Sequence, residues 1–115
     1  MANNQEFIDY VKELLAGMPE LRSRAMFGGM SIYSGDYMFG IIADDVLYIR
    51  VDDESRAAFE AEGCEPLMVT MKGKSQPMSY YNLPESALDA PEDAMHWARL
   101  GMDAALRKAA GKRSR

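Results

Sequence analysis

The sequence predicts one small α+β domain: an antiparallel β-sheet of about five strands flanked by an N-terminal and a C-terminal α-helix, with a short helix between the third and fourth strands. Three observations carry this expectation. Apolar residues recur at helical spacing at both ends of the chain. Between them lie aromatic and β-branched segments separated by short turn signals. A chain of 115 residues with 48% hydrophobic and 27% charged content can bury one core without disulfides.

The first helix is announced by Asn3 and Glu6, which have the spacing of a capping box. Behind them Phe7, Ile8, Val11, Leu14, Leu15 and Met18 fall on an arc of roughly 120°, with Gln5, Glu6, Asp9, Lys12 and Glu13 opposite. Gly17 and Pro19 end it. A meander follows over Met30 to Tyr33, Tyr37 to Ala43 and Val46 to Val51. Ser34-Gly35-Asp36 and Asp44-Asp45 suit tight hairpins between these strands. In the third strand alternation puts Leu47, Ile49 and Val51 toward the core and Tyr48 and Arg50 on the other face.

Asp52 and Asp53 offer caps for a short helix through Phe59, which Gly63 ends. A second hairpin runs from Pro66 to Met71, turns at Lys72-Gly73-Lys74, and returns over Ser75 to Leu83. Pro77 cannot donate a ladder hydrogen bond, so that strand is expected at an edge or beginning after Pro77. Asp89-Ala90-Pro91-Glu92 opens the last helix. Its polar residues Glu92, His96, Arg99, Asp103 and Arg107 form a narrow stripe, while apolar and small residues cover an arc of roughly 240°. One sheet face cannot cover so much helix, so a second element of this chain or another subunit is expected on it. The expected organisation is a domain over residues 1–106 and a basic, disordered tail over 107–115.

Charge restricts the function classes. The net charge is −5. The basic residues Arg107, Lys108, Lys112, Arg113 and Arg115 contribute five of the 13 positive charges; the other eight stand against 18 acids, which leaves residues 1–106 at −10. A body this acidic repels phosphate backbones. A single cysteine, Cys64, excludes an intrachain disulfide and points to a reducing compartment. The N-terminus lacks a signal-peptide pattern and no apolar run is long enough to span a bilayer, so a cytoplasmic protein is expected.

No constellation for catalysis stands out. His96, the only histidine, lies on the polar stripe of the last helix, and Cys64 lies in a loop without a neighbouring base. Asp44, Asp45, Asp52, Asp53 and Glu54 read as turn and capping residues without calcium-loop spacing. Gly28-Gly29 precedes a strand, with neither the Lys-Ser/Thr nor the helix of a phosphate-binding loop. The ten methionines fit core filling or an adaptable partner surface.

Several segments together resemble a known family. They are Arg24-Ala25-Met26-Phe27-Gly28-Gly29, Met38-Phe39-Gly40-Ile41-Ile42-Ala43-Asp44, Leu47-Tyr48-Ile49-Arg50-Val51-Asp52, Lys72-Gly73-Lys74, Met78-Ser79-Tyr80-Tyr81-Asn82-Leu83-Pro84 and Trp97-Ala98-Arg99. In this order and spacing the chain resembles the N-terminal domain of the TfoX (Sxy) family from about residue 7 to 107. The resemblance implies an antiparallel sheet flanked by helices and a bacterial protein linked to regulators of natural competence, which act with the cyclic-AMP receptor protein on promoters. The full-length regulators carry a second, helical domain that this sequence is expected to lack. The resemblance supplies no catalytic residue.

The leading expectation is therefore a non-enzymatic regulatory protein-interaction module with no cofactor and no metal. Its candidate interface, shared with a transcriptional regulator or a second copy in a homodimer, is the last helix through Met95, Trp97, Ala98, Met102, Ala105 and Leu106. One alternative is weak nucleic-acid binding through Lys72, Lys74, Arg107, Lys108, Lys112, Arg113 and Arg115. Another is a small-ligand site or small enzyme using the apolar space near Phe27, Phe39, Tyr80 and Tyr81.

Overall fold

The computed structural model describes residues 5–26 and 29–113. Helix α1 (Gln5–Leu14) is followed by strands β1 (Leu21–Met26), β2 (Gly29–Ser34), β3 (Tyr37–Ala43) and β4 (Val46–Arg50). Helix α2 (Arg56–Ala61), strands β5 (Pro66–Met71) and β6 (Lys74–Asn82), a 3-10 turn (Glu85–Asp89) and helix α3 (Pro91–Arg113) complete the chain. The six strands form one sheet in the order β1-β2-β3-β4-β6-β5, with every neighbouring pair antiparallel. The architecture is α+β, with one strand more than expected. The proposed capping residues Asn3 and Glu6 are split by the boundary, since Asn3 lies outside the described residues, as do Phe27 and Gly28.

The hairpin turns follow from residues that tolerate the left-handed region. Asp44 and Asp45 take φ of 49° and 60°, and Lys72 and Gly73 take 52° and 78°. Positive φ at both central positions gives the turn whose twist matches paired strands. The extra strand is β1, where Leu21 and Ser23 are half-buried and Arg22 and Arg24 are exposed.

Helices α1 and α3 pack on one face of the sheet. Cross-strand partners Ile32, Gly40, Ile49 and Tyr81 share that face. Leu47, Ile49 and Val51 are buried there with Val11, Leu14 and Phe59, in the register that alternation predicts. Gly101 brings α3 closest to the sheet: a Cβ at that position would lie 2.5 Å from Ile49 Cγ2 and 3.1 Å from the Phe39 carbonyl oxygen.

The wide apolar arc of α3 is shared among several elements of this chain. Strands β3 and β4 and the 3-10 turn flank it. Trp97 packs on Phe59 of α2 with ring centroids 4.7 Å apart. Met95 lies over Gly17, where a Cβ would stand 3.1 Å from Met95 Cε. Residues 107–113, expected as the start of a disordered tail, continue α3.

Candidate functional site

The C-terminal half of α3 is tied to the end of β4 by charge. Arg107 Nε donates to Asp52 Oδ2 at 2.6 Å and Nη2 to Oδ1 at 2.9 Å, while Glu54 Oε2 lies 3.1 Å from the same Nε. Asp52 also accepts from the backbone N–H groups of Glu54 and Ser55, each at 3.1 Å. It thus closes the turn ahead of α2 and anchors α3. The Arg107 hydrogen bonds hold its carboxyl at about 2, below the ordinary 3.8, against the opposing effect of partial burial.

This tie decides what the expected interface residues can do. Ala98 and Ala105 are buried in the chain's own core, and Met95, Trp97 and Met102 are half-buried against it. Leu106, 41% exposed, is the large apolar side chain that α3 leaves to solvent. Of the expected nucleic-acid contacts, Arg107 is engaged by two carboxylates and Lys108 is exposed. Lys112 and Arg113 belong to the last turn of α3, and Arg115 lies outside the described residues. Lys72 and Lys74 stand exposed on the β5–β6 hairpin.

That hairpin forms an arm. β4 pairs with β6 at Tyr80 to Asn82, with a further bond from Val51 N–H to the Ser79 carbonyl, whereas β5 and β6 continue to the turn at Lys72. Met68 and Met71 are among the most exposed large apolar side chains of the described residues.

The helix-free face of the sheet carries a row that sequence reasoning did not assemble. Arg22 is paired with Tyr33, Tyr33 with Met38, and Arg50 with Tyr80. The Arg50 guanidinium lies 5.1 Å from the centre of the Tyr80 ring and donates from Nε to the Met38 carbonyl at 3.0 Å. The Tyr80 hydroxyl is buried and, among the described residues, meets no partner at hydrogen-bond geometry, though the Arg50 guanidinium lies close enough to act on it. Burial raises its pKa, and Arg50 opposes that shift. A shallow depression of about 200 Å³ near this row is lined by Arg22, Arg24, Tyr33, Gly35 and Asp36. Arg22 lies 3.8 Å from Asp36 there and donates to the Gly35 carbonyl at 3.5 Å, so its charge is partly answered within the chain, and Arg24 and Tyr33 add a second cation and an aromatic ring. The missed signal was the Leu-Arg-Ser-Arg alternation of β1, which puts both arginines on one side.

The remaining chemically active side chains stay apart. His96 is exposed and lies edge-on to Trp97 at 5.3 Å. Cys64 is 8% exposed, and burial, followed by the charge of Glu62, pushes its thiol pKa up, away from the thiolate that nucleophilic chemistry needs. Tyr81, which the sequence grouped with Tyr80, faces the opposite side and donates its hydroxyl to Glu60 at 2.7 Å. Among the described residues no three His, Cys, Asp or Glu side chains gather in a metal-holding group. No helix there is long and apolar enough to cross a membrane.

Residues 13–105 match the TfoX N-terminal domain. The chain belongs to the TfoX N-terminal domain family. The match takes in the whole sheet, α2 and most of α3, and closes two residues before Arg107. The DNA transformation protein TfoX1 of Aliivibrio fischeri (strain ATCC 700601 / ES114) is 31% identical over 103 residues, covering 84% of this chain and 47% of that protein. Protein Sxy of Escherichia coli (strain K12) is 28% identical over 109 residues, covering 90% of this chain and 50% of that protein. The chain thus spans about half the length of the curated relatives it matches.

Proposed function

We propose that this TfoX N-terminal domain is a regulatory module that controls DNA uptake by binding another protein, without catalysing a reaction. The observation that carries this reading is its similarity to a DNA transformation protein over 84% of the chain. Two physical features favour a protein partner over direct nucleic-acid binding. The chain carries a net charge of −5, and Arg107, first of its C-terminal basic residues, is neutralised by Asp52 and Glu54. Phosphate binding needs free cations in number, since its affinity comes from counterion release.

Expression of this chain in Aliivibrio fischeri alongside TfoX1 tests the reading. A domain that shares a partner with TfoX1 competes for it, so transformation frequency falls as expression rises. A frequency that stays constant at high soluble expression overturns the proposal. Fluorescence anisotropy with labelled duplex DNA separates the alternative: binding at physiological salt should be no tighter than the roughly 10⁻⁴–10⁻⁶ M of non-specific contacts. Sequence-selective nanomolar binding would instead make this a DNA-binding protein.

A further inference from the structure

The sheet ends in two edge strands, β1 and β5, and only β1 carries charged side chains along its length; β5 is guarded at its start alone, by Pro66 and a register irregularity between Pro66 and Met68. An edge presents unpaired N–H and C=O groups to any other strand, and charged side chains are a common defence. β1 carries the exposed Arg22 and Arg24. β5 has no charge between Glu65 and Lys72, where it reads Pro66-Leu67-Met68-Val69-Thr70-Met71. Met68 is 50% and Met71 56% exposed.

The hairpin register decides which backbone groups of β5 are free. Met71 faces Lys74 across the two-residue Lys72-Gly73 turn. In such a hairpin the flanking pair exchanges both hydrogen bonds, and the pattern alternates along the strands. Met71 and Val69 therefore direct their N–H and C=O groups to β6, and Thr70 and Met68 direct theirs outward. Pro77 fits this parity: it stands opposite Met68, at a pair that needs no ladder bond.

We propose that β5 is a self-association edge, on which a second copy of this chain pairs antiparallel about a twofold axis at Val69. In that register Met68 of each copy faces Thr70 of the other, so every outward N–H of the two residues meets a carbonyl. A shift of two residues one way sets Thr70 opposite Pro66, which has no N–H. A shift the other way sets Met68 opposite Lys72, a turn residue. Side-chain charge agrees with this register. The hairpin tip of one copy, with Lys72 and Lys74, comes beside Glu65 of the other, and the twofold repeats the contact. A second copy is the occupant because this uncharged strand, flanked by Glu65 before it and Lys72 after it, complements itself when reversed. The distal arm gains from it, since a two-stranded hairpin alone is marginal in water and pairing makes it four-stranded. The inference is independent of the regulatory reading.

Sedimentation velocity over a concentration series tests it. Wild type shows a monomer–dimer equilibrium. Thr70→Pro removes an outward N–H but no bond to β6, and weakens the dimer about tenfold or more while the circular dichroism spectrum is retained. Met68→Lys does the same by placing a charge on the edge, and it serves if the proline variant loses its fold. Glu65→Lys weakens the dimer, and combining it with Lys72→Glu and Lys74→Glu restores it. A monomeric wild type overturns the proposal. So does a dimer that both edge variants leave intact, including one broken by Leu106→Glu, which would place the interface on α3.

Discussion

Replacing Gly101 by alanine sets two effects of known sign against each other. In an isolated helix the change is favourable by about 0.8–1 kcal/mol, because glycine loses more backbone entropy on ordering. In this protein the new Cβ would stand 2.5 Å from Ile49 Cγ2, 3.1 Å from the Phe39 carbonyl oxygen and 3.5 Å from the Arg50 backbone nitrogen. The first contact cannot persist at that distance. Ile49 is fully buried, and its β-branched side chain has little freedom at χ1, so rotation gives little relief. The other two contacts are backbone atoms of paired strands, which cannot retreat singly. Helix α3 must lift from the sheet, opening space along its length. Overpacking of this kind costs typically 1–3 kcal/mol. With the lifting of α3 from Arg107 and Phe59 added, the upper half of that range applies and exceeds the helix-propensity gain. Urea denaturation should show a net loss of about 1–2 kcal/mol with an unchanged m-value. The melting temperature should fall by roughly 4–16 °C, at about 4–8 °C per kcal/mol for a domain near this size. A Gly101→Ala variant as stable as wild type, or more stable, would refute the close approach of α3 to β3 and β4.

Two further outcomes follow from polar groups. Tyr80→Phe should stabilise the protein by about 1 kcal/mol in thermal or urea unfolding, because it deletes a buried hydroxyl that meets no partner at hydrogen-bond geometry among the described residues and keeps the ring under Arg50; a loss of stability would mean that the hydroxyl is bonded. The Asp52 carboxyl titrates at about 2 in the folded chain against an ordinary 3.8. Its contribution is therefore complete above the unfolded value and is lost as pH falls toward 2. The Asp52 and Arg107 side chains are 30% and 38% exposed, so screening reduces that contribution to about 1 kcal/mol. Between about pH 5 and pH 2, wild type should lose about that much more stability than Arg107→Gln; parallel pH profiles would remove Arg107 as the cause.

Local pattern carried most of the fold. The alternation of Leu47, Ile49 and Val51 determined which face of β4 is buried, and paired turn residues determined three hairpins. β1 was not legible because Arg-Ser-Arg-Ala has few of the β-branched and aromatic side chains that mark a strand; it is held by pairing with β2. The site depended on what local pattern cannot give. Tyr80 meets Arg50 only because β6 crosses over to lie beside β4, 30 residues away along the chain. Asp52 meets Arg107 across 55 positions, so a residue that reads as the start of a basic tail is a structural cation. The small residues of α3 did signal a close approach, and Gly101 is where it occurs. The element that approaches is this chain's own sheet.

The position of α3 in turn determines where another molecule can bind. The helix is fixed at Gly101 by steric contact and at Arg107 by two carboxylates, and its small residues Ala94, Ala98, Ala104 and Ala105 are buried within this chain. Separating it from the sheet would expose Ile49 and leave Asp52 without its cation, so a partner gains more from surfaces that are already free. Among the described residues two such surfaces stand out, and their chemistries differ. The helix-free face offers Arg22, Arg24 and the half-buried Tyr33 around a shallow depression that Asp36 also lines, a polar surface of mixed charge. The β5–β6 arm offers backbone donors and exposed methionines, which adapt to apolar surfaces of varied shape. Self-pairing through the β5 edge engages the backbone of the arm and leaves the helix-free face open on both copies. A dimer of this form would present two arginine–tyrosine faces on one continuous sheet, so a regulator that binds the face could be engaged twice by one assembly.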